Sequence, residues 1–194
     1  MTLPSPCTHA LAAGACVATL LVSACGSTTA IVTPSTSPAA SASPTAASQP
    51  FAGSGFRTDI PAGWQDQTTN PSAVAALTGS GTVLMLLASP DRGVIVARTT
   101  PQPVADDQLA QHLTSIVPPG AIDVSPAEPV DVDGAAGVVI TFVVIPTGAA
   151  AQEDEEMVVN QAGNTYEIAL HTAQASFARD AALLQQVLNS WRWA

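Results

Sequence analysis

Hydrophobic and polar positions change period several times along the chain, and each change marks an element. Gly55-Phe56-Arg57-Thr58-Asp59-Ile60 alternates and is broken at Pro61-Ala62-Gly63-Trp64, which predicts a strand, a turn and an aromatic closing over a core. Asn70-Pro71-Ser72 starts a short helix through Leu77. Residues 82–88 and 93–99 read as two strands of a hairpin joined by Ser89-Pro90-Asp91-Arg92. Asp106 or Asp107 opens a second helix, where Leu109, Leu113, Ile116 and Val117 recur at helical spacing until Pro118-Pro119-Gly120 ends it.

From residue 122 the pattern becomes a succession of strands, over 122–132, 137–145, 152–160 and 165–172, with turn residues between them. Residues 138–145 are apolar at both parities, which predicts a central strand covered on both faces. A last helix over 175–190 carries Phe177, Leu184, Val187, Leu188 and Trp191 on one stripe. These elements predict a single α+β domain, an antiparallel sheet of about six or seven strands flanked by helices.

Upstream the pattern is different. Residues 10–22 form a nearly unbroken apolar run, the length of a signal-peptide core and too short to span a membrane. It ends in Leu21-Val22-Ser23-Ala24-Cys25, arranged as a lipoprotein signal peptidase requires, so the chain resembles a bacterial lipoprotein with Cys25 as the lipidated residue. Met1 to His9 contains neither Lys nor Arg, a departure from the usual signal. Two or more acyl chains, at about 0.8 kcal/mol per buried methylene, make a stable anchor. Residues 26–50 are almost entirely Ser, Thr, Ala and Pro and cannot bury a core. The expected organisation is a signal peptide over 1–24, lipidated Cys25 and a disordered tether over 25–50, and a folded domain over 51–194. The tether would span roughly 25 to 30 Å. The expected location is the outer face of the cell membrane, reached by export and held by the lipid on Cys25.

Charge narrows the partners. The chain has 15 acidic and 5 basic residues, a formal net charge of −10, and no Lys. Five scattered arginines do not form the basic stripe that nucleic acid or anionic headgroups require. The cysteines are Cys7, Cys16 and Cys25, so processing would leave no pair for a disulfide.

Two ends of the domain carry a second resemblance. Phe56 with Ile60-Pro61-Ala62-Gly63-Trp64 is similar to the opening strand and aromatic corner of the PsbP-like superfamily, and Tyr166-Glu167-Ile168-Ala169-Leu170 with a helix ending Ser190-Trp191-Arg192-Trp193 to its closing strand and helix. With the lipidation signal, the layout over residues 51–194 resembles actinobacterial LpqN-type lipoproteins. The resemblance implies a PsbP-like fold and a non-enzymatic envelope factor, some such proteins being linked to export of envelope lipids.

Candidate chemistry is sparse. Beyond the signal the histidines are His112 and His171, both read as half-buried structural residues, and Ser54 and Ser80 lie in bare Gly-Ser-Gly loops with no nucleophile elbow. Asp131-Val132-Asp133-Gly134 reads as a hairpin turn rather than a calcium loop. Glu153-Asp154-Glu155-Glu156 alternates between two faces of a strand and reads as a solvated acidic edge. Trp64, Tyr166, Trp191 and Trp193 either fill the core or meet around an apolar pocket; the candidate ligand-pocket residues are Trp64, Tyr166 and Trp191. No catalytic residue, metal site or cofactor is assigned. The expectation is a membrane-anchored, non-catalytic binding or accessory module with envelope protein partners, in envelope lipid export or assembly. The alternative is a carrier of lipid or a small hydrophobic ligand. A serine hydrolase using His171 or His112 ranks below both.

Overall fold

Alternation at residues 56–60 produces a strand, β2 (Phe56–Ile60), with Phe56, Thr58 and Ile60 buried and Arg57 and Asp59 exposed. In the computed structural model, which describes residues 47–77 and 79–194, β2 pairs antiparallel with β1 (Gln49–Gly53) and with a short strand at residues 192–193. Residues 1–24, Cys25 and the tether as far as residue 46 lie outside the described residues. β1 begins at Gln49, inside the stretch read as tether.

The larger sheet is built from β3 (Gln65–Asp66), β4 (Thr82–Ala88), β5 (Val94–Thr99), β6 (Glu128–Val132), β7 (Ala135–Val144), β8 (Gln152–Gln161) and β9 (Asn164–Ala173). Their spatial order is β3-β4-β5-β9-β8-β7-β6, antiparallel throughout. The α+β fold and its seven-stranded antiparallel sheet are therefore those read from the pattern. The strand over residues 192–193, β10 (Arg192–Trp193), completes a separate three-stranded sheet.

Two strand assignments change. The run at 138–145 belongs to β7, next to the edge strand β6, and the centre of the sheet is β9. β7 is apolar at both parities because α2 (Leu109–Ile116) covers Ile140 and Phe142 on one face, while Val139 packs into the main core on the other. Of the strand expected over 122–132, the first half is loop, joined to β7 where Ile122 bridges Val143 and where the Ser125 N–H donates to the Thr141 carbonyl at 2.9 Å while Ser125 Oγ accepts the Thr141 N–H at 2.9 Å. At the β6–β7 turn, Asp133 and Gly134 have φ of 50° and 83° and Asp131 accepts the Gly134 N–H at 2.9 Å, the hairpin that Asp-Gly predicts.

Helices cover both faces. α3 (Phe177–Ser190) lies over β2, β8 and β9 and buries Leu184, Val187 and Leu188 into the main core. On the opposite face, α2 seals Leu109, Leu113, Ile140, Phe142 and Val158. The third helix, α1 (Pro71–Ala75), is capped by Asn70, whose side chain accepts from the Ser72 and Ala73 N–H groups. Ala73 and Val74 of α1 lie against Leu86, Val96 and Ala169. Among the described residues no helix is long and apolar enough to cross a membrane.

Candidate functional site

Between the two apolar patches on the α1/α2 face runs a strip of charge. Side chains two apart on a strand share a face. That parity puts Arg98 of β5, Glu167 and His171 of β9, and Asp154 and Glu156 of β8 on one surface. Register closes the group: Arg98 stands opposite Glu167, Asp154 opposite His171, and Glu156 opposite Ala169. Ala169, between Glu167 and His171 on the same face, is buried in the apolar patch beside α1. From above, α2 lowers His112 from the flank of its buried stripe, Leu109 and Leu113.

Hydrogen bonds pair most of these groups. Glu167 accepts from Arg98 Nε through Oε2, and its Oε1 lies 2.9 Å from His112 Nε2. Asp154 Oδ1 accepts from Gln152 Nε2 at 2.8 Å and lies 3.3 Å from His171 Nδ1. Glu156 lines the same groove and is 7% exposed, yet it accepts no hydrogen bond from the described residues. Burial pushes its carboxyl above the ordinary value of 4.5; His171 and Arg98 oppose the shift, and Asp154 and Glu167 add to it. The groove above has a volume of about 440 Å³. Ile116, Pro118 and Val144 form an apolar wall, and Gly79 and Ser80 another part of the rim. Gly79 has φ of 110°, and a β-carbon there would collide with the Arg98 guanidinium, so glycine lets the loop close against the charge.

Glu153-Asp154-Glu155-Glu156 is thus no solvated edge. β8 lies inside the sheet between β9 and β7, and Asp154 and Glu156 are buried beside Arg98 and the two imidazoles. The histidines are half-buried, as read, but His112 and His171 belong to one cluster. Among the described residues each ring pairs with a carboxylate and neither bonds a serine hydroxyl, so the hydrolase reading lacks the contact it requires, even though Ser80 borders the groove. Sequence reasoning missed Arg98, Asp154, Glu156 and Glu167. The signal available was same-parity charge inside otherwise apolar strands, as at Glu167 between Tyr166 and Ile168.

The aromatic set is elsewhere. Trp64, Tyr166 and Trp191 all join the main core under α3. Trp191 is fully buried and stacks on Phe56 with centroids 3.9 Å apart, and Tyr166 meets Trp193 at 4.8 Å. Tyr166 also borders an open groove of about 400 Å³ together with Ser54, Thr82 and Leu84, which Trp64 and Trp191 do not line. Trp191 Nε1 is buried without a hydrogen-bond partner among the described residues. Cys25 lies outside the described residues.

Compared with known proteins, the sequence matches no family model and no curated protein. Solved structures do match. Cyanobacterial PsbP from Synechocystis sp. PCC 6803 is similar with a TM-score of 0.53 at 16% identity, over 77% of this chain and 94% of that one. LpqN of Mycobacterium tuberculosis, described as involved in cell envelope biogenesis, is similar with a TM-score of 0.51 at 12% identity, over 75% and 89%. A Bacteroides thetaiotaomicron protein is similar with a TM-score of 0.50 at 13% identity, over 77% of this chain and 49% of that one. At these identities the likeness concerns the fold, which is PsbP-like.

Proposed function

We propose that this protein is a membrane-anchored, non-catalytic binding module of the cell envelope, held by lipid on Cys25 and engaging envelope protein partners through the groove between α1 and α2. One observation carries the reading: titratable side chains are buried beneath an open groove, on a sheet whose opposite face already holds the main apolar core. Burying charge costs several kcal/mol per ion unless it is well paired, and such clusters in clefts mark functional sites. Within the groove, Glu167 is held by Arg98 and His112, and Asp154 by Gln152 and His171, a network that fixes these side chains in place. Similarity in fold to LpqN, a protein of cell envelope biogenesis, supports the location.

The test is photocrosslinking of the full-length protein in its own membrane. A photoreactive residue at Ile116 or Ser80, on the groove, should capture a defined envelope protein. The same residue at Glu128, exposed on the edge strand β6, should not. Equal capture from both places, or none from the groove, would overturn the reading. Metabolic labelling with an alkyne fatty acid should mark the wild-type protein and leave Cys25→Ser unlabelled if Cys25 is the lipidated residue.

A further inference from the structure

We propose that the groove receives one organic monocation, an ammonium or guanidinium on an aliphatic stem, with Glu156 as its counter-charge. This rests on the binding-module reading and names the chemistry of what is bound. Three carboxylates, Asp154, Glu156 and Glu167, face the groove with a single permanent cation, Arg98. Two of the three are already engaged, Glu167 by Arg98 and His112, and Asp154 by Gln152 and His171. Glu156 is left as a buried carboxyl that lines the groove and accepts no hydrogen bond from the described residues. Its oxygens are open to the groove and not sealed, since Trp191 Nε1 is the one buried side-chain polar atom without a partner among the described residues, so a donor entering the groove can reach them.

The surroundings select the donor. An anion would face three carboxylates. A divalent metal needs several oxygens around one point, and here two carboxylates are held by their own partners. Among the described residues no group of three ligands is arranged to hold a metal. A monocation needs one free carboxylate, and its stem finds the apolar wall of Ile116, Pro118 and Val144.

Full-length protein at pH 8 is titrated with n-butylammonium and n-butylguanidinium chloride, reading the imidazole NMR signals of His112 and His171. Saturable shifts with a Kd of about 1 mM are expected for cations of this size. The neutral n-butanol and the anionic butyrate should leave the signals unmoved. Glu156→Gln should weaken binding at least tenfold, while Glu153→Gln, of opposite strand parity, should not. Val144→Lys, which tethers an ammonium to the groove wall, should abolish binding and serves where Glu156→Gln fails to fold. Butanol acting as well as butylammonium, unchanged affinity in folded Glu156→Gln, or a tighter response to Ca²⁺ than to either cation would overturn the site. A blocked Gly-Arg-Gly peptide identifies the source: tighter binding than butylguanidinium assigns the cation to a partner's side chain, weaker binding to a free amine or guanidine. Failure of all cations would remove this site and leave the photocrosslinking result standing on its own.

Discussion

The two faces of the large sheet are made from the same strands and do opposite work. On the α3 face, alternate residues of β8 and β9 supply Met157, Val159, Tyr166, Ile168 and Leu170 to a continuous core closed by the Phe56–Trp191 stack. On the α1/α2 face, the intervening residues supply Asp154, Glu156, Glu167 and His171, which part the apolar patch under α2 from that beside α1. One residue of displacement along a strand thus separates an apolar core from a charged groove and, on the proposed function, stability from recognition. Substitutions under α3 should cost more folding energy than substitutions in the strip, and binding losses should be confined to the strip.

The sharpest test of the first half is Trp191→Ala. It deletes a fully buried indole from the stack that ties α3 to the small sheet, and should destabilise the protein by about 3–5 kcal/mol in urea unfolding. Trp191→Phe should cost far less, because it keeps a stacked ring and removes the buried N–H that has no partner among the described residues. Equal losses in the two variants would mean that the ring stack is not what holds this face.

A smaller effect is expected from Glu167→Gln on the other face. Glu167 and Arg98 are mostly buried, with side chains 8% and 12% exposed, so neutralising the carboxylate leaves the guanidinium undercompensated. Loss of about 2–3 kcal/mol is expected, because Gln keeps one acceptor oxygen. The Arg98→Gln, Glu167→Gln double variant should recover part of that loss, a coupling read by a double-mutant cycle. Additive losses would show that the strip is a set of independent polar residues, breaking the contrast between the faces.

What the sequence disclosed follows the same division. The α3 face was legible because apolar residues at helical spacing, from Leu184 to Trp191, and strongly apolar strands declare burial directly. β4 was legible to the residue, since Gly81 and the Ser89-Pro90 pair bracket it. The strip was not, because Arg98, Glu156, Glu167 and His171 are far apart in sequence and are joined only by register, which pattern does not fix between non-adjacent strands. The acidic run misled for a related reason: charge on a strand suggests an edge, and nothing local reveals that β9 and β7 flank β8. β1 and β10 escaped because a strand of Gln49-Pro50 and one of two residues owe their pairing to β2 rather than to their own composition.

The subtlest test compares neighbours on β8. Glu155 points toward the α3 face and Glu156 toward the groove, and burial raises both carboxyls above the ordinary 4.5. For Glu155 burial is the cause, whereas for Glu156 His171 and Arg98 pull against it. A carboxyl whose folded-state value is raised holds its proton more tightly when folded, so its contribution to stability is complete below the unfolded value and is lost as pH rises through the folded one. Glu155→Gln should therefore stabilise the protein at pH 7.5, with a Tm increase of about 1–2 °C, and the gain should vanish below pH 4.5. Glu156→Gln should show a smaller gain or none, since the variant also gives up attraction to Arg98 and His171. Matching pH profiles for the two variants would mean that the faces present the same environment to a carboxylate, and the division of labour between them would fail at the strand where it is most closely drawn.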